Sequence, residues 1–233
     1  MNSTVPFSIL VIDTSSTEIG LGLHRSGRPL ATIRHRPSGP VSENLHAGIG
    51  RLLDAEGVRN QDLTAIAAIR GPGSFTGLRV GLSYALGLSM ALAIPGIGIS
   101  SLEAIAAGIA ISRPELRRLL VAIRSGERRN DWYSEIFRLD PGESPHSTGE
   151  AAALEAPALE TLAQEADAVA GDPPIFASKV PVCGDRFSLL AGAAELARRS
   201  VQGGSSNDPL LPLYILEPPP VARRAAASTA ESS

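Results

Sequence analysis

Two short stretches carry residues whose types and spacing could do chemistry. Asp13-Thr14-Ser15-Ser16 sets a carboxylate and three hydroxyls directly after an apolar run. Such a group at a strand end can hold a metal–phosphate, or it can cap a turn through side-chain bonds to backbone N–H groups. The second stretch is Arg70-Gly71-Pro72-Gly73-Ser74-Phe75-Thr76-Gly77-Leu78-Arg79, between a buried strand and a long helix. Its glycines and proline impose an unusual, rigid backbone path. Ser74 or Thr76 can cap the helix, and the N–H groups left over favour an anion. The Lys-Ser/Thr ending of a Walker A loop is missing. Arg79 is the only charge between Arg70 and Glu103, so it must reach solvent, an acidic partner or a phosphate. The candidate anion or nucleotide loop is therefore Asp13, Thr14, Ser15, Gly71, Gly73, Ser74, Thr76 and Arg79. The same residues can equally form a structural turn beside a solvated arginine.

The rest of the chain offers little for catalysis. Its histidines are His24, His35, His46 and His146, and no two have the i, i+4 helical spacing that grips one metal, so no metal site is expected. His46 reads as a surface or interface residue. The single cysteine, Cys183, excludes an intramolecular disulfide and a cysteine-based zinc site, which fits a reducing cytosol. It has no histidine close by in sequence, so no nucleophile–base pair stands out and no catalytic residue is expected.

A chain of 233 residues can bury a real core as one large domain or two small ones. Apolar residues make up 43% and aromatics only 4%, so Ala, Leu, Ile and Val must fill that core. A net charge of −3 gives no long-range attraction to an RNA backbone. Any role on RNA would therefore run through a partner. The N-terminus lacks the basic region of a signal peptide. Val80 to Leu102 holds no charge, but Pro95, Gly96 and Gly98 break it, which favours a buried helix and strand over a membrane span. The expected location is the cytoplasm.

The positioning elements follow from periodicity. Ser8–Asp13, Ile19–His24 and Pro29–Arg34 read as a three-stranded meander, followed by a helix over Ser42–Glu56. Ala65–Ile69 reads as a buried strand, then a helix over Gly77–Ala93, a strand at Ile97–Ile99 and a helix over Leu102–Ile111. A second unit opens at Leu119–Ile123, with strands at Trp132–Arg138 and Pro181–Gly184 and helices over Ala156–Ala170 and Ser188–Arg199. This is an α/β chain with mixed sheets and a pseudo-duplicated architecture whose second half is reduced. Pro218–Ser233 reads as a disordered tail.

The helix over Gly77–Ala93 is apolar on every side. Gly77, Gly81, Ala85 and Ser89 form one small-residue stripe; Ser83, Gly87 and Ala91 form another. Leu82, Leu86 and Met90 form an apolar one. Such a helix must be buried all round, and a sheet covers one face only. The other needs the helix over Ser42–Glu56 or a partner chain.

The Asp-Thr-Ser strand end, the Ser-Glu-Asn-Leu helix start, the Gly-Pro-Gly-Ser-Phe-Thr-Gly-Leu-Arg loop, the segment Ile94–Ala104 and Pro212-Leu213-Tyr214 together resemble the TsaB (YeaZ) family. The likeness is strong over residues 8–110. It implies an actin/Hsp70-like ATPase fold of two RNase H-like halves, here 1–110 and 111–217, with 218–233 as the tail. It implies a non-catalytic scaffold for a TsaD-type catalytic subunit in the biosynthesis of N6-threonylcarbamoyladenosine in transfer RNA. A TsaE-type ATPase would join in a ternary complex, with transfer RNA met indirectly. The family's pairing surface, its first two helices, falls here on Leu45, His46, Ile49, Leu53, Gly81, Leu82, Ala85, Leu86 and Ser89, and the same helices would support a homodimer. No cofactor is expected beyond weak ATP or ADP binding. The alternatives are a nucleotide-binding regulator and a glycoprotease-like hydrolase of the same fold. One departure stands out: the family's Ile-Asp-Ala-Arg is Ile123-Arg124-Ser125-Gly126 here, in a longer loop running to Tyr133. Arg124 in place of the aspartate puts nucleotide binding in doubt.

Overall fold

The computed structural model describes residues 6–126, 129–174, 180–184, 188–203 and 209–215. The expected tail at 218–233 lies outside them.

Strand β1 (Ser8–Asp13) is buried along its whole length, as a β-branched run between two covered faces must be. It pairs antiparallel with β2 (Ile19–Arg25), from Ser8 opposite Arg25 to Asp13 opposite Gly20, and β2 pairs antiparallel with β3 (Ala31–His35). Helix α1 (Val41–Ala55) leads into β4 (Ala65–Gly71), which lies parallel to β1 on its other side. Helix α2 (Phe75–Leu92) then returns the chain to β5 (Gly96–Ser100), parallel to β4, giving the order β3-β2-β1-β4-β5. The Ser74 side chain caps α2 by accepting the Gly77 N–H, and Ala93 ends the helix in the left-handed region at φ 52°.

Helix α3 (Ser101–Ser112) carries the chain to the second sheet. Its strands are β6 (Arg118–Arg124), β7 (Asp131–Arg138), β8 (His146–Ser147), β9 (Ala152–Glu155) and β10 (Ala168–Gly171), with helix α4 (Ala156–Ala163) before β10. The order is β10-β6-β7-β8, and β9 also pairs with β7. Helix α5 (Ser188–Gly203) closes the set and packs back onto α3 and onto β1, β2 and β4. Gly108 of α3 and Gly192 of α5 permit that approach, because a Cβ on either would overlap the other helix's backbone.

Successive residues of β2 show the layering. Leu21 meets Gly48 of α1, while Gly20 meets Leu190 of α5. Strand neighbours point to opposite faces, so the first sheet lies between α1 and α2 on one side and α5 on the other. One core runs from this sheet through α3 and α5 into the second, and a smaller cluster around Leu120, Trp132, Leu159 and Val169 lies under α4.

The expected helix over Ala156–Ala170 is corrected: it stops at Ala163, and Ala168–Gly171 is a buried strand parallel to Leu119–Ala122. Pairing with β6 sets the strand, and the Asp167 carboxylate, which accepts the backbone N–H of both Arg117 and Arg118, ties the chain to the start of β6. The short strand expected at Pro181–Gly184 is a single parallel bridge between Val169 and Val182.

Candidate functional site

The strand end and the glycine loop, separate in sequence, close on each other. The Asp13 carboxylate is buried and accepts the backbone N–H of Ser15 at 2.9 Å and its hydroxyl at 2.6 Å. Thr14, also buried, donates its hydroxyl to the Gly77 carbonyl at 2.8 Å. The Ser74 N–H donates to the Ser15 carbonyl at 2.8 Å. Cβ atoms on Gly73, Gly77 or Gly81 would overlap Ser15 or Thr14, so these glycines are what let α2 and its loop lie directly on the turn. Ser101 of α3 fixes the loop from the other side by donating to the Pro72 carbonyl at 2.7 Å. Of the loop residues named from the sequence, Asp13, Thr14, Ser15, Gly73 and Ser74 are thus brought together. Gly71 faces the C-terminal segment, Thr76 is exposed, and Arg79 is used elsewhere.

That segment, Pro209–Tyr214, is a feature the sequence reading did not place. The Leu213 N–H donates to the Arg70 carbonyl at 2.7 Å. Cβ atoms on Gly71, Gly96 or Gly98 would collide with Leu213, Leu210 or Pro209, so three glycines in or beside β4 and β5 form its bed. Glycines at alternate positions of a strand were the available signal. At its end Tyr214 packs on Phe75, ring centroids 5.3 Å apart, and its hydroxyl accepts from Arg79 Nε at 3.2 Å.

The expected partner face divides. Leu45, Ile49, Leu53, Leu82 and Ala85 lie in the chain's own core, and Gly81 and Ser89 are buried with them. These residues pack inside this chain: Leu45, Ile49 and Leu53 on the inner side of α1, and the small-residue stripe of α2 against the Thr14 turn and the sheet. The open face lies a quarter-turn away. Leu86 is 46% exposed and Met90 72% exposed, with Ser83, Gly87 and Ala91 open around them. Helix α1 contacts α2 but leaves Leu86 and Met90 uncovered. His46, exposed on α1, shares a 2.9 Å hydrogen bond between its Nδ1 and the Tyr84 hydroxyl of α2. Burial pushes the Tyr84 hydroxyl up, so it keeps its proton at neutral pH. By length and composition α2 could cross a membrane, and a third of it is buried in this fold.

Other candidate chemistry is weaker. Cys183 is buried and its thiol is pushed up by that burial, the opposite of an activated nucleophile. The loop after β6 is arginine-rich: Arg124 lies over Trp132 and donates to the Arg129 carbonyl, and Arg129 pairs with Asp131 at 2.7 Å. The ligand atoms of Asp140, Glu143 and His146 lie within 4.8 Å of one another at the β7–β8 turn, a group without the i, i+4 histidine spacing. There Arg138 pairs with Asp140 at 2.7 Å and His146 with Glu143 at 3.2 Å.

Residues 38–204 match the family model for TsaD, tRNA N6-adenosine threonylcarbamoyltransferase. The chain is 36% identical over 121 residues to the tRNA threonylcarbamoyladenosine biosynthesis protein TsaB of Escherichia coli K12, covering 51% of this chain and 52% of that protein. It is 36% identical over 100 residues to TsaB of Bacillus subtilis 168, covering 43% and 44%. The chain thus spans about half the length of these curated relatives. A crystal structure from Pseudomonas aeruginosa, described as similar to peptidase YeaZ, superposes with a TM-score of 0.68 at 26% identity, covering 90% of this chain and all of that one. The superposition bears out the α/β fold with mixed sheets expected from the sequence and shares it with the YeaZ structures.

Proposed function

We propose that this chain, which belongs to the TsaD family and within it to the TsaB (YeaZ) group of tRNA threonylcarbamoyladenosine biosynthesis, is a non-catalytic scaffold for a TsaD-type catalytic subunit. The observation that carries this reading is the open stripe of α2. Leu86 and Met90 stand exposed on a helix otherwise seated on the sheet, next to the His46–Tyr84 bridge. Apolar side chains grouped in this way are stabilised by burial against a second protein. The catalytic subunit would seat its own equivalent helices here, and a TsaE-type ATPase would join the pair. Transfer RNA is met through the catalytic subunit, in the cytoplasm. The free chain would pair with itself through the same stripe, in competition with the partner.

The strand end supports a role without turnover. Asp13 Oδ1 accepts both the N–H and the hydroxyl of Ser15, and Thr14 donates to the Gly77 carbonyl, which makes the glycine loop a brace for α2. Nucleotide binding by the isolated chain is accordingly weak or nil, and calorimetry at millimolar ATP or ADP measures it directly.

The deciding experiment mixes the chain with a TsaD-type subunit and follows size-exclusion chromatography with light scattering. The native chain is expected to form a heterodimer. Leu86→Glu, which places a charge in the stripe, is expected to remain folded by circular dichroism and to elute alone. A Leu86→Glu variant that still pairs would move the interface elsewhere; a native chain that does not pair would remove the scaffold reading.

A further inference from the structure

The open stripe of α2 does not end at Leu86. A residue every three or four positions on a helix shares one face, and Phe75, Arg79, Ser83, Leu86 and Met90 follow that spacing. The N-terminal end of the stripe carries a built arrangement. The Arg79 guanidinium lies 3.9 Å from the centroid of Phe75, and its Nε donates to the Tyr214 hydroxyl at 3.2 Å. Tyr214 is itself packed on Phe75 and held by the bond from Leu213 to Arg70. The C-terminal segment therefore fixes the plane of an exposed arginine on the docking face. No carboxylate pairs with Arg79 among the described residues. A guanidinium held by stacking and by Nε keeps its two terminal nitrogens for a planar, two-oxygen acceptor, and loses little entropy in binding one.

We propose that Arg79, positioned by Tyr214, is the charged anchor of the partner interface and takes a carboxylate of the catalytic subunit. The C-terminal segment is thereby part of the docking surface. This rests on the scaffold reading above. The partner's face is accordingly apolar opposite Leu86 and Met90, and acidic opposite Arg79.

The test titrates the full-length chain against a TsaD-type subunit by calorimetry at two salt concentrations, with melting curves to confirm folding. Arg79→Ala is expected to weaken association roughly tenfold to a hundredfold, as for an interface arginine anchor, and to flatten its salt dependence. Arg79→Lys keeps the charge and loses the fork, and should fall between. Tyr214→Phe keeps the ring stack and removes the Nε acceptor, and should weaken association about threefold, because the guanidinium keeps its charge but loses part of its preorganisation. If Leu86→Glu abolishes binding while Arg79→Ala binds like the native chain, the anchor is wrong and the scaffold stands. If the native chain does not bind, both fall. If Arg79→Ala leaves protein association intact but weakens transfer RNA binding by the complex, the anion is a phosphate and the proposal is overturned.

Discussion

The chain builds the same strand arrangement twice and finishes it in opposite ways. In the first half β1 pairs antiparallel with β2 and parallel with β4; in the second β6 pairs antiparallel with β7 and parallel with β10. The end of β1 is buried and closed by a glycine loop laid against Asp13, Thr14 and Ser15. The end of β6 is open, and its hairpin is tied by arginines to Trp132, Asp131 and a backbone carbonyl. One end is held by close packing of backbone on backbone, the other by charge at the surface. Shape-dependent contacts tolerate no added atom, whereas exposed ion pairs contribute little and tolerate change.

The largest test of that contrast adds one methyl group to each end. In Gly77→Ala the new Cβ falls on the Thr14 carbonyl, which is backbone and cannot rotate away. Overpacking of this kind is expected to cost about 3 kcal/mol. In Gly126→Ala the nearest atom is the Arg129 Cδ at 3.9 Å, so the change should stay within about 0.5 kcal/mol. Urea unfolding of both variants compares them directly. Equal losses would mean that the two ends are held alike.

A smaller change removes one bond from the closed end. Thr14→Val keeps the shape and loses the donor to the Gly77 carbonyl. Loss of about 1 kcal/mol is expected, as for one buried hydrogen bond. The same variant should leave association with the catalytic subunit unchanged, because Thr14 is buried on the sheet side of α2 while Leu86 faces out.

How far the sequence told this story differs between the halves for the same physical reason. β1, β4 and α2 were legible because β-branched runs, a Gly-Pro-Gly loop and a serine cap give local signals that packing then confirms. Residues 168–170 were read as helix because an alanine-rich stretch leaves no period. Its strand state is set by Asp167 and by pairing with β6, across some fifty positions of chain. The candidate loop residues were legible as a group, but not their use: nothing in the spacing says that Gly77 and Gly81 receive Thr14. The helix that carries the open stripe was legible, but not which of its sides stays open. An all-apolar helix carries no polar stripe to mark its outer side, so Leu82 and Ala85 could not be told from Leu86 and Met90. The aromatic bed of Arg79 was hidden, because Tyr214 lies 135 positions away.

The second half offers a pH-dependent test. Burial pushes the Glu135 carboxyl of β7 up, against a smaller lowering by the hydrogen bond to Ser147. A raised folded pKa means that Glu135 supports the fold while protonated, below its ordinary range, and that this support is lost as pH rises through the folded value. Glu135→Gln is therefore expected to raise the melting temperature at pH 7 and to match the native chain near pH 4. The same gain at both pH values would show that the effect is not ionisation.

The smallest expected effect tests the tether that overrode the sequence pattern. Backbone N–H bonds from Arg118 and then Arg117 lower the Asp167 carboxyl below its usual range, only partly offset by burial. A depressed pKa contributes stability above the unfolded value, lost as pH falls through the folded one. Asp167 is largely solvated, so the contribution is small. Asp167→Asn keeps one oxygen acceptor for the two N–H groups but removes the charge. It should lower the melting temperature by a degree or two at pH 7, in line with a few tenths of a kcal/mol, and converge with the native chain toward pH 3. Asp167→Ala removes the acceptor as well and should lose more at every pH, with hydrogen exchange rising first at the start of β10. If Asp167→Ala leaves exchange in β10 unchanged, the strand is held by its pairing with β6 alone, and the tether only chooses where it begins.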